Sequence, residues 1–136
     1  PQSSEDRLRL VDTLIEAVDS YKIGRDKLFV DPLVVPIGTD HSQGKVFLET
    51  VKIVKEKYDE VRTICGLSNI SYGMPNRRLL NRTFLILARG YGLDASIIDP
   101  LDQELMSSIY ATEVLLGYDE FCMNYLSAYR SGKLEG

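Results

Sequence analysis

Three short, β-branched apolar runs recur along this chain at intervals of about 33 to 35 residues, the length that a strand, a loop and a covering helix occupy in a βαβ unit. They are Lys27-Leu28-Phe29-Val30, Val61-Arg62-Thr63-Ile64-Cys65 and Ala95-Ser96-Ile97-Ile98. The spacing predicts parallel strands. Apolar residues at helical spacing fill the intervals. Leu8, Val11, Leu14, Ile15 and Val18 make one face, opened by the Ser3-x-x-Asp6 capping pattern and expected to close at Gly24, where a left-handed residue costs little. Phe47, Val51, Val54 and Tyr58 make a second, with Ser42 as its cap. Leu79, Leu80, Thr83, Phe84, Leu87, Ala88 and Tyr91 make a third, between Asn76 as cap and Gly92 as stop. Leu105, Ile109, Thr112 and Leu116 make a fourth, ended by Gly117, and Asp119 is placed to cap a fifth carrying Phe121, Tyr125, Leu126 and Tyr129. The expected order is α-β-α-β-α-β-α-α.

A three-stranded parallel sheet is narrow for this class, because such strands need both faces covered and neighbours on both edges. The 136 residues, 44% of them apolar, suit one domain spanning residues 1–136. The chain opens on Pro1 and a helix, and residues 131–136 carry no further strand pattern, so the expectation is a piece of a larger protein whose other strands lie N-terminal. A net charge of −4 disfavours a nucleic-acid footprint, Arg77, Arg78 and Arg82 forming the only local basic cluster. No apolar run approaches the ~18 residues of a membrane span, and no signal-peptide pattern is present. Cys65 in a strand and Cys122 on a helix, at no metal spacing, read as reduced core thiols of a cytoplasmic protein.

Polar residues gather where the strands end. Asp31-Pro32 follows the first run, Asp99-Pro100 the third, and Gly66-Leu67-Ser68-Asn69-Ile70-Ser71-Tyr72-Gly73 the second. In α/β proteins this is the edge on which ligands bind, since its loops vary while the sheet holds them still. An Asp before Pro is also a common turn former, and Asn69 can serve as a loop residue bonding local backbone. His41, the only histidine, stands beside Asp40 in the polar loop Gly38 to Gly44; one His and one Asp make a weak case for a metal, so none is assigned. Ser68 and Ser71 have no histidine context that suggests a triad.

Four segments resemble the C-terminal part of the pterin-binding methyltransferases. They are Leu28-Phe29-Val30-Asp31-Pro32-Leu33-Val34-Val35-Pro36, Gly66-Leu67-Ser68-Asn69-Ile70-Ser71, Arg78-Leu79-Leu80-Asn81-Arg82-Thr83-Phe84 and Gly92-Leu93-Asp94-Ala95. The family comprises methyltetrahydrofolate:corrinoid methyltransferases, with dihydropteroate synthase and the folate module of cobalamin-dependent methionine synthase as relatives. The resemblance implies the last three strands of a TIM (β/α)8 barrel with an extra C-terminal helix. It implies methyl transfer between methyltetrahydrofolate (or tetrahydrofolate) and the cobalt of a corrinoid, cobalamin-type cofactor carried by a partner protein, in a cytoplasmic homodimer of one-carbon metabolism.

Residue by residue, the resemblance makes Asp31 the acceptor of hydrogen bonds from the pterin's amino and ring N–H donors, and Asn69 the amide that reaches N5, the atom bearing the methyl group. Ser68, Tyr72, Arg77 and Arg78 complete the implied substrate contacts. Tyr72 stands where several relatives carry Gln; it can stack on the ligand or simply cover the barrel mouth. Arg77 and Arg78 can meet the ligand's glutamate tail or the corrinoid partner, or can form a solvated first helical turn. The Asp and Asn that the family takes from its third and fourth strands are not in this chain. The chemistry suits these residue types: a tertiary amine leaves badly unless N5 is protonated or strongly hydrogen-bonded, and an amide can serve either state. Asp31, ionised and held by ring donors, positions rather than protonates.

Two other readings stand beside this one. A dihydropteroate-synthase-type condensing enzyme shares the barrel, but that family carries a glycine-rich Asp-Pro-Gly loop and a Ser-Arg-Lys sequence where this chain has Asp31-Pro32-Leu33 and Ser68-Asn69-Ile70. A non-catalytic α/β interaction module is weakened because no glycine-rich phosphate loop follows any strand. The residues leave the direction of transfer open.

Overall fold

Parallel strands that are neighbours in both sequence and space must be joined by crossovers of one hand, which sends their helices to one face of the sheet. The computed structural model, which describes residues 2–134, has this arrangement. Helix α1 (Ser4–Ser20), strand β1 (Phe29–Val30), α2 (Gln43–Lys57), β2 (Arg62–Gly66), α3 (Arg77–Tyr91), β3 (Ala95–Ile97), α4 (Gln103–Leu115) and α5 (Met123–Arg130) follow in that order. The strands lie β1-β2-β3, all parallel, with Phe29 beside Arg62, Val30 beside Thr63, and Cys65 beside Ser96. The expected element order and strand direction are therefore as found.

Alternation along the strands separates two faces. Val30, Thr63 and Cys65 point to the helices. Val30 packs with Val11 and Ile15 of α1 and Val54 of α2, while Cys65 packs with Phe47, Val51, Phe84 and Ala88 of α2 and α3. The rings of Phe47 and Phe84 meet at 5.2 Å in a tilted arrangement. The opposite face is bare: Phe29 is 46% exposed and Ile97 71%, and the Arg62 guanidinium lies 5.7 Å from the Phe29 ring.

Local chemistry departs from the expected boundaries in several places. Strand β1 is only two residues long, because Arg25–Lys27 forms a 3-10 turn and Pro32 has no N–H to add to a ladder. Ser3 caps α1 as its sequence predicts, accepting from the Asp6 N–H at 3.1 Å. The helix closes differently, however. Lys22 takes the left-handed conformation (φ 57°) while Gly24 is extended, and the Ile23 N–H reaches back to the Val18 carbonyl. Ser42 precedes α2 without capping it; Asp40 accepts from the Ser42 N–H instead. Gly92 ends α3 at φ 115°, where an added Cβ would lie 3.0 Å from Lys55 Cγ. Asp119 reaches the Asn124 and Tyr125 N–H groups and starts α5.

The cysteines part company. Cys65 is fully buried, and burial pushes its thiol up to about 11. Cys122 is not the core thiol its helical neighbours suggest: it is exposed and left-handed, next to an equally left-handed Phe121, where the chain turns into α5. Among the described residues no helix is long and apolar enough to cross a membrane.

At the N-terminal edge of the sheet, Asp94 Oδ2 accepts from Lys55 Nζ (2.9 Å) and the Thr63 N–H (2.8 Å), joining α2, β2 and the start of β3. Asp94→Ala should cost about 1.5–3 kcal/mol, the range for hydrogen bonds to a charged group, in denaturant unfolding. A loss under half that would mean that water replaces the carboxylate freely. The bare face and the two open edges make a second prediction: the isolated 136-residue chain self-associates at micromolar concentration. Sedimentation of a stable monomer would show that the sheet tolerates its exposed side.

Candidate functional site at the C-terminal edge of the sheet

Asp31 follows β1 directly, Asn69 lies three residues beyond β2, and Asp99 two beyond β3, so all three occupy the same edge in chain order. Asp31 is exposed, and its Oδ1 accepts from the Leu33 N–H at 2.9 Å. This is an Asx turn, the local role open to any Asp before Pro. One carboxylate oxygen is thereby tied. Asp99 makes the same bond to the Leu101 N–H, also at 2.9 Å.

The residues after β2 form a 3-10 turn, Leu67–Ser71, whose apolar members Leu67 and Ile70 are buried while Ser68 and Asn69 face outward. Asn69 does not bond its own backbone. Its Nδ2 donates to the Val34 carbonyl of the β1 loop at 2.9 Å, and the Ile37 N–H donates to the Ile70 carbonyl at 3.1 Å. A carbonyl only accepts, so this contact decides which end of the amide faces Val34 and leaves Oδ1 as the outward acceptor. Asp31 and Asn69 are thus linked through the backbone of residues 33–34.

Arg77 serves this turn more than it serves solvent. Its Nη2 donates to the Ser68 carbonyl (2.8 Å) and its Nε to Ser71 Oγ (3.0 Å), and its guanidinium lies 6.0 Å from the Tyr72 ring. Ser71 is buried, with Asn81 Oδ1 at 2.7 Å from its hydroxyl. Tyr72 itself is 67% exposed, open for stacking. Arg78 is exposed and lines a groove of roughly 450 Å³ between the β2 and β3 loops, with Ser68, Arg77, Asn81, Asp99 and Asp102. Asp102 is committed to the cap of α4, accepting from the Leu105 N–H at 3.1 Å.

Two residues of this edge escape a reading of motifs. Arg7 of α1 is 3% exposed; its Nη1 donates to the Leu33 carbonyl (2.9 Å) and its Nη2 to Gln43 Oε1 (2.6 Å). Burial pulls the guanidinium down from its ordinary range. Gln43, also buried, passes on a bond from Nε2 to Asp40 Oδ2 at 2.9 Å. A signal for Arg7 was available: it stands four residues before Val11 and eight before Ile15, on the buried face of α1. His41 is exposed, and its neighbour Asp40 acts in the loop's own hydrogen bonding rather than with it.

Hydrogen bonds from the Gln43 amide and from the Ser42 N–H and hydroxyl hold the Asp40 carboxyl down at about 2, against an ordinary 3.8. A depressed folded-state value contributes stability that is complete above about 3.8 and lost as pH falls toward 2. Asp40→Asn should therefore flatten the acid limb of stability against pH in that window. An unchanged limb would mean that the loop's bonds do not distinguish the charged carboxylate.

No protein-family model matches the chain. It is 31% identical over 134 residues to a protein of Eubacterium limosum named methylcorrinoid:tetrahydrofolate methyltransferase, a match covering 98% of this chain and 49% of that protein. It is 26% identical over 104 residues to a methionine synthase of Mycobacterium tuberculosis (71% of this chain, 9% of that protein) and 29% over 101 residues to one of Mycobacterium leprae (69% and 8%). The chain spans about half the length of the Eubacterium relative and under a tenth of the methionine synthases.

Proposed function

The chain belongs to the pterin-binding methyltransferase family, whose C-terminal part it matches, and we propose that it supplies part of the pterin site of an enzyme transferring a methyl group between tetrahydrofolate and a corrinoid carried by a partner protein. The observation that carries this reading is the bond from Asn69 to the Val34 carbonyl, which ties the turn bearing Asn69 to the loop bearing Asp31 at adjacent strand ends. On this reading the three strands close a TIM barrel with strands from elsewhere, and the bare face carrying Phe29 and Ile97 becomes barrel interior. The protein then acts in the cytoplasm as a homodimer.

Asp31 is well suited to hold the ring: one oxygen is fixed by Leu33, and the second is left to accept from the pterin's amino and ring N–H groups. Ser68 lies in the neighbouring turn and Tyr72, Arg77 and Arg78 follow it, Tyr72 offering an aromatic face and Arg78 a charge at the groove. Arg77 contributes by fixing the Ser68 carbonyl.

The corrinoid supplies the cobalt that gives up or takes the methyl group. Asn69 acts on the nitrogen. When N5 of tetrahydrofolate accepts the methyl group, its lone pair forms the N–C bond, the Co–C bond breaks with its electrons left on the metal, and N5 carries a proton that must leave. In the reverse direction the same nitrogen must be protonated before the methyl departs. Both directions pass through a nitrogen that is gaining or losing positive charge with a hydrogen attached. Asn69 Oδ1, turned outward by the Val34 contact, is the acceptor for that hydrogen, and its bond strengthens as charge develops. The name of the Eubacterium relative reads from methylcorrinoid to tetrahydrofolate, and we adopt that direction.

In the complete protein, Asn69→Ala should lower single-turnover methyl transfer by about 10²–10³-fold, the cost of one preorganised polar contact, with little change in pterin affinity. Asp31→Ala should chiefly weaken binding, because the ring edge it holds changes little during transfer. An Asn69→Ala variant that binds pterin poorly yet transfers at an unchanged rate when saturated would place Asn69 away from N5.

A further inference from the structure

The sequence Asp-Pro-Leu occurs twice at this edge, as Asp31-Pro32-Leu33 and Asp99-Pro100-Leu101, and both copies make the same 2.9 Å bond from Leu N–H to Asp Oδ1. They differ in the leucine. Leu33 is left-handed, with φ 71°, whereas Leu101 is not among the left-handed residues. A non-glycine residue in that region is disfavoured by about 1–2 kcal/mol, so it persists only where its surroundings over-determine it. At Leu33 they do: its N–H is bonded by Asp31, and its carbonyl by the buried guanidinium of Arg7. The next carbonyl, of Val34, is taken by Asn69. The second copy lies open, with Leu101 82% exposed.

A buried cation is an expensive way to fill space in a helix interface, and the bonds from Arg7 to the Leu33 carbonyl and to Gln43 Oε1 tie this one to the loop after β1 and to the start of α2. Of these bonds, the one to the Leu33 carbonyl reaches the turn that carries Asp31, and an apolar residue could not make it. Resting on the reading of Asp31 as the residue that holds the pterin ring, we propose that Arg7 is a positioning residue: by gripping the Leu33 carbonyl it maintains the left-handed turn that aims Asp31, and so sets the affinity for tetrahydrofolate. Arg7 touches no substrate. It acts from the far side of the loop, through two backbone groups.

The test is a double-mutant cycle in the complete protein, with tetrahydrofolate affinity measured for Arg7→Met, Asp31→Ala and the pair, and folding followed by thermal unfolding. Arg7→Met should weaken binding about tenfold, as expected for a lost charge-assisted hydrogen bond, and should add less than twofold once Asp31 is Ala. Arg7→Lys, which keeps the charge and one donor, runs the same cycle if the Met variant does not fold, and should show a smaller loss that likewise vanishes in the Asp31→Ala background. Leu33→Gly, which accepts the left-handed turn without strain, should restore part of the binding lost with Arg7. If Asp31→Ala weakens binding but the Arg7 effect is absent or multiplies with it, Arg7 does not act through Asp31, and the site reading survives without it. Unchanged binding in Asp31→Ala itself would remove the site reading and this proposal together.

Discussion

Winding every crossover to one face is the constraint from which the rest of this structure follows. It brings α1 to α4 together over Val30, Thr63 and Cys65, leaves the opposite side of the sheet without cover, and collects the loops that follow the strands at a single edge. The two edges then have different work. At the N-terminal edge, Asp94 gathers Lys55 and Thr63 into a closed set of bonds that joins helix to sheet. At the C-terminal edge, Asp31, Asn69 and Asp99 are exposed, each tied to a backbone group through one side-chain polar atom.

That second edge is held by backbone carbonyls more than by side-chain pairs. Leu33 receives Arg7, Val34 receives Asn69 and Ser68 receives Arg77, so three polar side chains are oriented by oxygens that can only accept. The arrangement orients an amide without using its oxygen and fixes a carboxylate through one of its two oxygens. It also couples neighbouring loops: the turn after β2 cannot move without disturbing the loop after β1. In a site built this way, geometry is inherited from the sheet through short loops, which is the condition under which a side chain can be preorganised toward a reacting atom.

Much of this was legible from residue order. The regular spacing of apolar runs identifies the parallel strands, and the capping roles of Ser3, Gly92 and Asp119 follow from their positions beside periodic segments. Signals of this kind are local, and local chemistry decided them. Where the outcome depended on contacts between distant elements, the sequence was mute or misleading. Gly24 looked like the left-handed stop of α1, yet the chain turned two residues earlier at Lys22, because the bond from Ile23 to Val18 closed the helix there. Cys122 shared a helical window with apolar residues but lies on an exposed, left-handed turn. Asn69 was visible as a strand-end amide, while its partner, a carbonyl 35 positions back in the chain, carried no mark. Arg7 was hidden for the opposite reason: a charged residue on a helix is ordinarily read as a solvated one, and only its register with Val11 and Ile15 points inward.

On the proposed reading, the C-terminal edge of β1 and β2 holds the pterin, with the ring edge at Asp31 and N5 toward Asn69. A structure of the complete protein with tetrahydrofolate bound tests it directly. The ring should lie across these two strand ends, with Asp31 within hydrogen-bond distance of its amino and ring N–H groups, and with N5 nearer Asn69 Oδ1 than any other side chain contributed by this chain. A ring seated at the opposite edge near Asp94, or bound with Asp31 and Asn69 facing only solvent, would contradict it.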